Sequence, residues 1–382
     1  VSDAELASRV RGGALEVLSN SWRETDGFCP PNPDVYPHQW LWDSCFHAIA
    51  WSALGDPRGA RELDSCLQGQ LPSGFVPHMR YLGPSAGRGP LTDRSSFTQP
   101  PIYAHAARVL ASGGADLGDA LVDRVAAGLE WLWAHRRTPE GLLYVVHPWE
   151  TGTDDSPRWD DWVALPAYDH ADYSAWDRRL VAETFFDESG AAVWSRSFAC
   201  APASFNALAA HAAIECAELT GDDRWRSRSE ELAGVVDDLL WDQESGLWVD
   251  RPLTGGGARC RVPTLDGALG ALVTGDSARA ARVLEQLTDP GRFGAPYGLA
   301  YLPRGHASYQ PGEYWRGAAW PQLNYLMAVA AQRWGDHATY ARIREMTFEG
   351  VLASGFAEYW NPEDGTGLGA VPQGWAAVAA AL

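Results

Sequence analysis

The chain has 382 residues, 46% of them hydrophobic and 21% charged, enough apolar matter to enclose a large core, which excludes intrinsic disorder. Thirty basic residues against forty-nine acidic ones give a formal charge of −19; no basic stripe opposes that field, so nucleic acid is excluded as a partner. No window reaches the roughly 18 consecutive apolar residues of a membrane span, and the first residues show no basic segment leading into an apolar one, so the expectation is a cytoplasmic protein without a membrane partner.

Helical periodicity recurs along the whole chain. Helices are expected at residues 4–20, 41–54, 57–68, 102–111, 117–135, 198–220, 222–241, 265–272, 276–287, 321–332, 336–354 and 373–380. Asp56 before Pro57 reads as an N-cap with proline at the first helical position. Gly221 can end one helix in the left-handed conformation, and Asp222 can cap the next. Helix 198–220 is apolar on nearly every side and helix 222–241 is charged on one face, as an inner and an outer layer require. Twelve such helices in two concentric rings use up the length, and no linker or low-complexity tract divides it. The expectation is one all-α domain spanning residues 1–382, an (α/α)6 barrel, with residues 142–146 and 247–250 as short hairpin strands on loops. The six cysteines (Cys29, Cys45, Cys66, Cys200, Cys216, Cys260) show no C-x-x-C spacing and read as reduced, buried groups.

In such a barrel the loops at one end form the pocket, so chemistry is expected in residues 29–42, 71–101, 146–173, 289–320 and 355–373. Nineteen tryptophans and thirteen tyrosines suit a sugar, whose C–H faces stack on rings while its hydroxyls take hydrogen bonds. Glycine-rich nucleotide loops, the zinc-protease helix motif and the serine-hydrolase elbow are all missing. The histidines are dispersed, no pair at i, i+4 completes a metal site, and His47 reads as a hydrogen-bonded core residue. What is left is carboxylates among aromatics. The run from His147 to Trp162 holds Glu150, Asp154, Asp155, Asp160 and Asp161 among three indoles, and Phe356-Ala357-Glu358-Tyr359-Trp360 sets one acid among three rings. Glycoside hydrolysis needs two carboxyl groups in different surroundings, one protonated to donate to the leaving oxygen and one ionised. Thr-Asp-Asp-Ser-Pro is equally good turn chemistry, and Glu358 also fits a solvated position after a helix; composition alone leaves both readings open.

The motifs resemble a known family. Trp40-Leu41-Trp42-Asp43-Ser44-Cys45-Phe46-His47, Gln99-Pro100-Pro101, Trp149-Glu150-Thr151-Gly152-Thr153-Asp154-Asp155-Ser156-Pro157-Arg158-Trp159-Asp160, Tyr314-Trp315-Arg316-Gly317 with Trp320 and Asn324, and Glu358-Tyr359-Trp360-Asn361-Pro362 followed by Gly365-Thr366-Gly367 are similar, in this order, to glycoside hydrolase family 63. Within it the likeness is to bacterial glucosylglycerate and mannosylglycerate hydrolases, with trehalases more distant. The resemblance implies an (α/α)6 barrel and hydrolysis of a small soluble α-glucoside or α-mannoside with inversion. It implies Asp154 as general acid, with Asp155 as the fallback, and Glu358 as the base that activates water, about 6.5 to 9.5 Å from the acid. By the same comparison Trp42, Asp43, Gln99, Trp315 and Arg316 line the −1 subsite, and Tyr36, Trp40, Trp149, Glu150 and Trp360 join the substrate-binding set. Trp42 also fits core packing, and Arg316 also fits neutralising a carboxylate such as Asp43 or Glu313. Relatives that act on glycerate glycosides resemble one another in a longer loop after the acid, whose Arg and Tyr groups grip the aglycone carboxylate. Here residues 164–179 look shortened and acidic, with Arg178 and Arg179 expected in a helix away from the pocket and only Arg80, Arg88 or Arg94 as substitutes, so a neutral or bulkier aglycone competes with glycerate. No metal or organic cofactor is needed to protonate a glycosidic oxygen, and none is expected. A non-catalytic sugar-binding barrel and an inverting disaccharide phosphorylase are the competing functions.

Overall fold

Short polar residues and proline set where the helices begin. The computed structural model describes residues 2–83, 88–164, 167–255 and 261–382. Its α-helices are α1 (Asp3–Ser21), α2 (Leu41–Leu54), α3 (Arg58–Leu67), α4 (Tyr103–Ser112), α5 (Gly118–His135), α6 (Asp160–Val163), α7 (His170–Glu183), α8 (Ala203–Thr220), α9 (Asp223–Leu239), α10 (Ser277–Thr288), α11 (Pro321–Arg333) and α12 (His337–Ala353), with longer 3-10 helices at Leu265–Leu272 and Gly374–Ala381. Ser2, Asp222, Asp276 and Asp336 each accept a backbone N–H from the first turn of the helix they precede, which satisfies donors that a helix leaves without partners.

Helices α2, α4 and α8, the 3-10 helix 265–272, α11 and the 3-10 helix 374–381 pack each on the next and close on α2, forming an inner ring. Helices α1, α3, α5, α9, α10 and α12 pack outside it. The molecule is an (α/α)6 barrel. Burial follows the layers: α8 buries thirteen of its eighteen residues, whereas α9 outside it buries five of seventeen. The core therefore lies inside the inner ring and between the rings. Six two-stranded antiparallel ribbons decorate the loops among the described residues. Two of them stiffen the cavity end, with Gln39 opposite Arg80 and Tyr359 opposite Leu368.

Several elements depart from expectation. Helix α8 starts at Ala203, not at Phe198, because Pro202 stands as its N-cap in extended backbone and disfavours helix in the residue before it. Cys200–Ala201 pairs instead with Arg251–Pro252. Residues 265–272 and 374–381 are 3-10 rather than α. In the first, Gly267 and Gly270 let Trp248 approach so closely that a Cβ would lie 2.4 and 2.3 Å from its atoms, and glycine favours helix poorly. A helix was expected around Arg178 and Arg179, but α7 begins earlier, at His170 inside a segment read as irregular, and the hairpin Thr184–Phe186 with Ala192–Ser195 was not expected. Residues 142–146 make only isolated bridges, Leu143 to Arg137 and Val145 to Cys200, while Leu247–Trp248 pairs with Trp241–Asp242 as a hairpin. The five described cysteines are buried, and Cys29, Cys45, Cys66 and Cys216 are free; Cys260 lies outside the described residues. Among the described residues no helix is long and apolar enough to cross a membrane.

Candidate active site

A cavity of about 510 Å³ opens at the N-terminal ends of inner helices. Every loop singled out from sequence contributes to it: Tyr36, Trp40 and Trp42; His78, Arg88 and Gln99; Trp149, Asp154, Asp155 and His170; Tyr314; Glu358 and Gln373. Trp42 and Asp43 are the second and third residues of α2. The Trp42 N–H, which an N-terminal turn leaves without a helical partner, donates to Gln99 Oε1 at 3.1 Å, so the loop before α4 is tied to the start of α2. Gln373 Nε2 donates to Asp43 Oδ1 at 3.3 Å from the opposite side of the chain closure. Gly152 has φ +72°, and a Cβ there would lie 2.1 Å from the Trp42 ring. Only glycine lets the acid-bearing loop rest on that indole.

The two acids separated by two hundred residues face the same space but have unlike neighbours. Glu358 accepts the Ala370 N–H at 2.9 Å and the Tyr36 hydroxyl at 3.2 Å; burial pushes its carboxyl up to about 7, and these two hydrogen bonds pull the other way by favouring the ionised form. Asp154 is likewise pushed up to about 7, first by burial and then by the charge of Asp155, with Arg88 and His170 opposing. Asp155 is engaged, its Oδ2 accepting from Tyr168 at 2.9 Å and lying 2.7 Å from His170 Nδ1. Asp177 adds a third carboxyl on this side. Its Oδ2 accepts the Trp149 indole N–H at 3.0 Å, its Oδ1 is buried with no hydrogen bond, and burial followed by Asp154 and Asp155 raises it well above the carboxylate range. Asp43 is pushed up to about 7, mainly by burial.

Four residues expected in the sugar site stand behind the wall. Glu150 is fully buried, bound by Arg136 at 2.6 and 2.8 Å and by the Val146 N–H at 2.7 Å. Trp315 is fully buried with φ +52° and stacks on Trp320 at 3.6 Å. That left-handed turn puts neighbouring Tyr314 in the cavity wall and Trp315 in the core. Arg316 forks onto Asp160 at 2.7 and 2.9 Å, with its guanidinium 4.2 Å from the Tyr168 ring centre; its carboxylate partner is neither Asp43 nor Glu313. Trp360 is fully buried, and its indole N–H donates to the Tyr297 carbonyl. His47 is a core residue with Glu62 3.5 Å from its Nδ1, but neither of its ring nitrogens is hydrogen-bonded among the described residues, contrary to expectation.

The site also holds residues that the sequence reading left out: His78, His170, Ser174, Asp177, Arg178, Tyr314, Gln373 and Trp375. Arg178 corrects an expectation, since it does lie in a helix but that helix borders the cavity. A signal was present: His170, Ser174, Asp177 and Arg178 fall at i, i+4, i+7 and i+8, one polar face of α7, while Tyr173, Trp176 and Leu180 form its buried face. Of the three arginines considered as substitutes only Arg88 lines the cavity, spread over the rings of Trp149 and Trp40 at 4.9 and 5.4 Å. Arg80 binds Ser65, and Arg94 binds Asp93 and the Gly69 carbonyl.

The chain is similar to known proteins over nearly its whole length. Residues 36–376 match the family described as the mannosylglycerate hydrolase MGH1-like glycoside hydrolase domain. The chain is 30% identical to a mannosylglycerate hydrolase of Thermus thermophilus, over 96% of this chain and 98% of that one. It is also 30% identical to a glucosylglycerate hydrolase of Mycolicibacterium hassiacum, over 98% and 96% respectively. Among solved structures, a family 63 mannosylglycerate hydrolase from Thermus thermophilus in complex with Tris and D-glycerate superposes with a TM-score of 0.81 at 29% identity, covering 97% of this chain and 99% of that one. The chain belongs to the MGH1-like family, within glycoside hydrolase family 63, and is a glycoside hydrolase.

Proposed function

We propose that the enzyme hydrolyses a small soluble α-glucoside or α-mannoside with inversion, Asp154 acting as general acid and Glu358 as general base. The observation that carries this reading is that both carboxyls open onto one aromatic-walled cavity in unlike surroundings. Burial and the charge of neighbouring Asp155 favour the protonated form of Asp154 and suit it to donate to the leaving oxygen. Asp155 is the weaker choice because Tyr168 and His170 hold one of its oxygens. Glu358, whose ionised form is favoured by the Ala370 N–H and the Tyr36 hydroxyl, is suited to take a proton from water as it attacks the anomeric carbon. Asp43 and Gln99 can accept or donate to sugar hydroxyls, and Trp42 offers a ring face.

The aglycone is a small anion of the glycerate type. Arg178 and Arg88 border the cavity on the Asp154 side, and Arg178 is an exposed cation in a strongly acidic chain. A guanidinium suits a carboxylate, and the relatives named for glycerate glycosides fit the same reading. Glucosylglycerate, mannosylglycerate and trehalose, each followed by NMR for bond cleaved and anomer released, form the test. The expected result is β-anomer release from a glycerate glycoside, a loss of about 10²- to 10⁴-fold in kcat for Glu358→Gln, and a raised KM for Arg178→Met. Undiminished hydrolysis by Glu358→Gln would refute the assignment.

A further inference from the structure

Within the barrel, away from the sugar cavity, α4 and α8 bring three metal-type donors together. His105 Nδ1 lies 3.2 Å from Glu215 Oε1 and 3.2 Å from His211 Nε2, and His211 Nε2 lies 3.3 Å from the same Glu215 oxygen. His211 and Glu215 are one turn apart on α8, so they share a face. Both imidazoles are buried, and the Glu215 side chain is 16% exposed, leaving a way in from solvent. The aromatic rings of Tyr325 and Phe46 intervene: Tyr325 contacts His105, Phe46 contacts Tyr325, and Trp42 on the cavity wall contacts Phe46.

Hydrogen bonding can satisfy two edges of this triangle but not all three at once. Each edge needs one donor and one acceptor, and three atoms in a ring cannot alternate. With Glu215 ionised, whatever tautomers are chosen, one edge sets hydrogen against hydrogen or lone pair against lone pair, although each atom keeps a partner on another edge. A cation removes the conflict because all three atoms then present lone pairs to it. The spacing fits: a tetrahedral ion with bonds of about 2.0–2.1 Å sets its donors about 3.3–3.4 Å apart. His105 is also oriented as a ligand, since its remote Nε2 lies 2.9 Å from the Tyr325 hydroxyl and can donate to it from the opposite side of the ring. Arg108 stands 3.8 Å from the second Glu215 oxygen, so that oxygen has its own cation.

We infer that His105, His211 and Glu215 bind a divalent first-row transition ion, zinc by donor set and spacing, with water in the fourth position. The ion pins α4 to α8 and, through Tyr325, braces α11, so its role is to hold the inner ring beneath the sugar site.

A second cluster, Cys29, His47 and Glu62, also gathers three donor types. There the carboxylate is already committed to the Cys29 N–H at 2.8 Å and the Ser44 hydroxyl at 2.7 Å, and the thiol donates to the Leu18 carbonyl. The experiment separates the two clusters. The full chain is stripped with chelator, dialysed and titrated with Zn²⁺ and with Co²⁺, following heat, visible absorption and Tm. The expected result is one saturable equivalent, a Tm that rises with zinc, and cobalt bands without thiolate charge transfer. Glu215→Gln, which keeps the side-chain shape, should lose the equivalent while its circular dichroism is unchanged. Tyr325→Phe should weaken binding about 10-fold. No saturable equivalent, wild-type binding by Glu215→Gln, or a thiolate-to-cobalt band would each overturn the proposal.

Discussion

Glu358 owes its position to two small features of the backbone beside it. Gly369 has φ +69°, and a Cβ there would lie 2.5 Å from Glu358 Oε2 and 2.7 Å from the Tyr359 ring. The next N–H, from Ala370, is what holds that oxygen. Gly369→Ala therefore combines left-handed strain with a collision against the base, and misplacing a reacting group by about 1 Å costs about 10²-fold. We expect kcat to fall by about that factor while far-ultraviolet circular dichroism is unchanged. Tyr36 supplies the other hydrogen bond to the ionised carboxylate. Activity in acid is lost when the base takes a proton, so Tyr36→Phe, which favours the protonated form, should move the acid limb of the kcat profile to higher pH. A profile that only drops, with both limbs in place, would assign Tyr36 to substrate binding alone. The pair as a whole should give a bell centred near neutrality, because both carboxyls are pushed to about 7 and the competent form carries one proton between them.

The segments around the acids are fixed from behind, which explains what sequence could and could not reveal. Acids set among indoles are a local pattern, so the two acidic segments that reach the cavity were legible, whereas the choice of Asp154 and Glu358 within them came only with the family resemblance. Whether Trp315 or Tyr314 faces the cavity depends on one left-handed residue, and whether Glu150 touches sugar depends on Arg136, which arrives from the end of α5. Neither fact is written in the motif. The donors His105, His211 and Glu215 escaped because one of them stands more than a hundred positions from the other two. Arg136 and Glu150 form a fully buried pair, and Glu150 also accepts from the Val146 and Thr98 N–H groups at 2.7 and 3.3 Å. The pair thus joins α5, the acid loop and the strand-like run before Gln99. Removing one partner of such a pair leaves a buried charge uncompensated and costs about 3–5 kcal/mol. Glu150→Gln should lower the stability measured by urea unfolding by an amount of that order; a change under about 1 kcal/mol would show that the loop is held by its backbone alone.

At the scale of the whole molecule, the barrel gathers acids at the mouth of its inner ring, and this has a thermodynamic consequence. Asp43, Asp154 and Glu358 all sit at about 7 in the folded protein, whereas in the unfolded chain they ionise near 4. Between about pH 4 and 7 the fold keeps protons that the unfolded chain has released. Raising pH through that window therefore disfavours the fold, and the contribution present below the unfolded values is gone once pH passes the folded ones. Carboxyls held low by arginine, such as Asp56 and Glu363, work in the other direction, but their loss falls below that window. Asp154→Asn removes one of the raised groups with little change in shape. The variant should match the parent in Tm at pH 4 and exceed it by a few degrees at pH 8, while losing turnover at both. Scanning calorimetry across that range decides the matter: a Tm difference that does not grow with pH would mean that Asp154 is solvated well enough to ionise at an ordinary value, and the reason for its acting as an acid near neutrality would be lost with it.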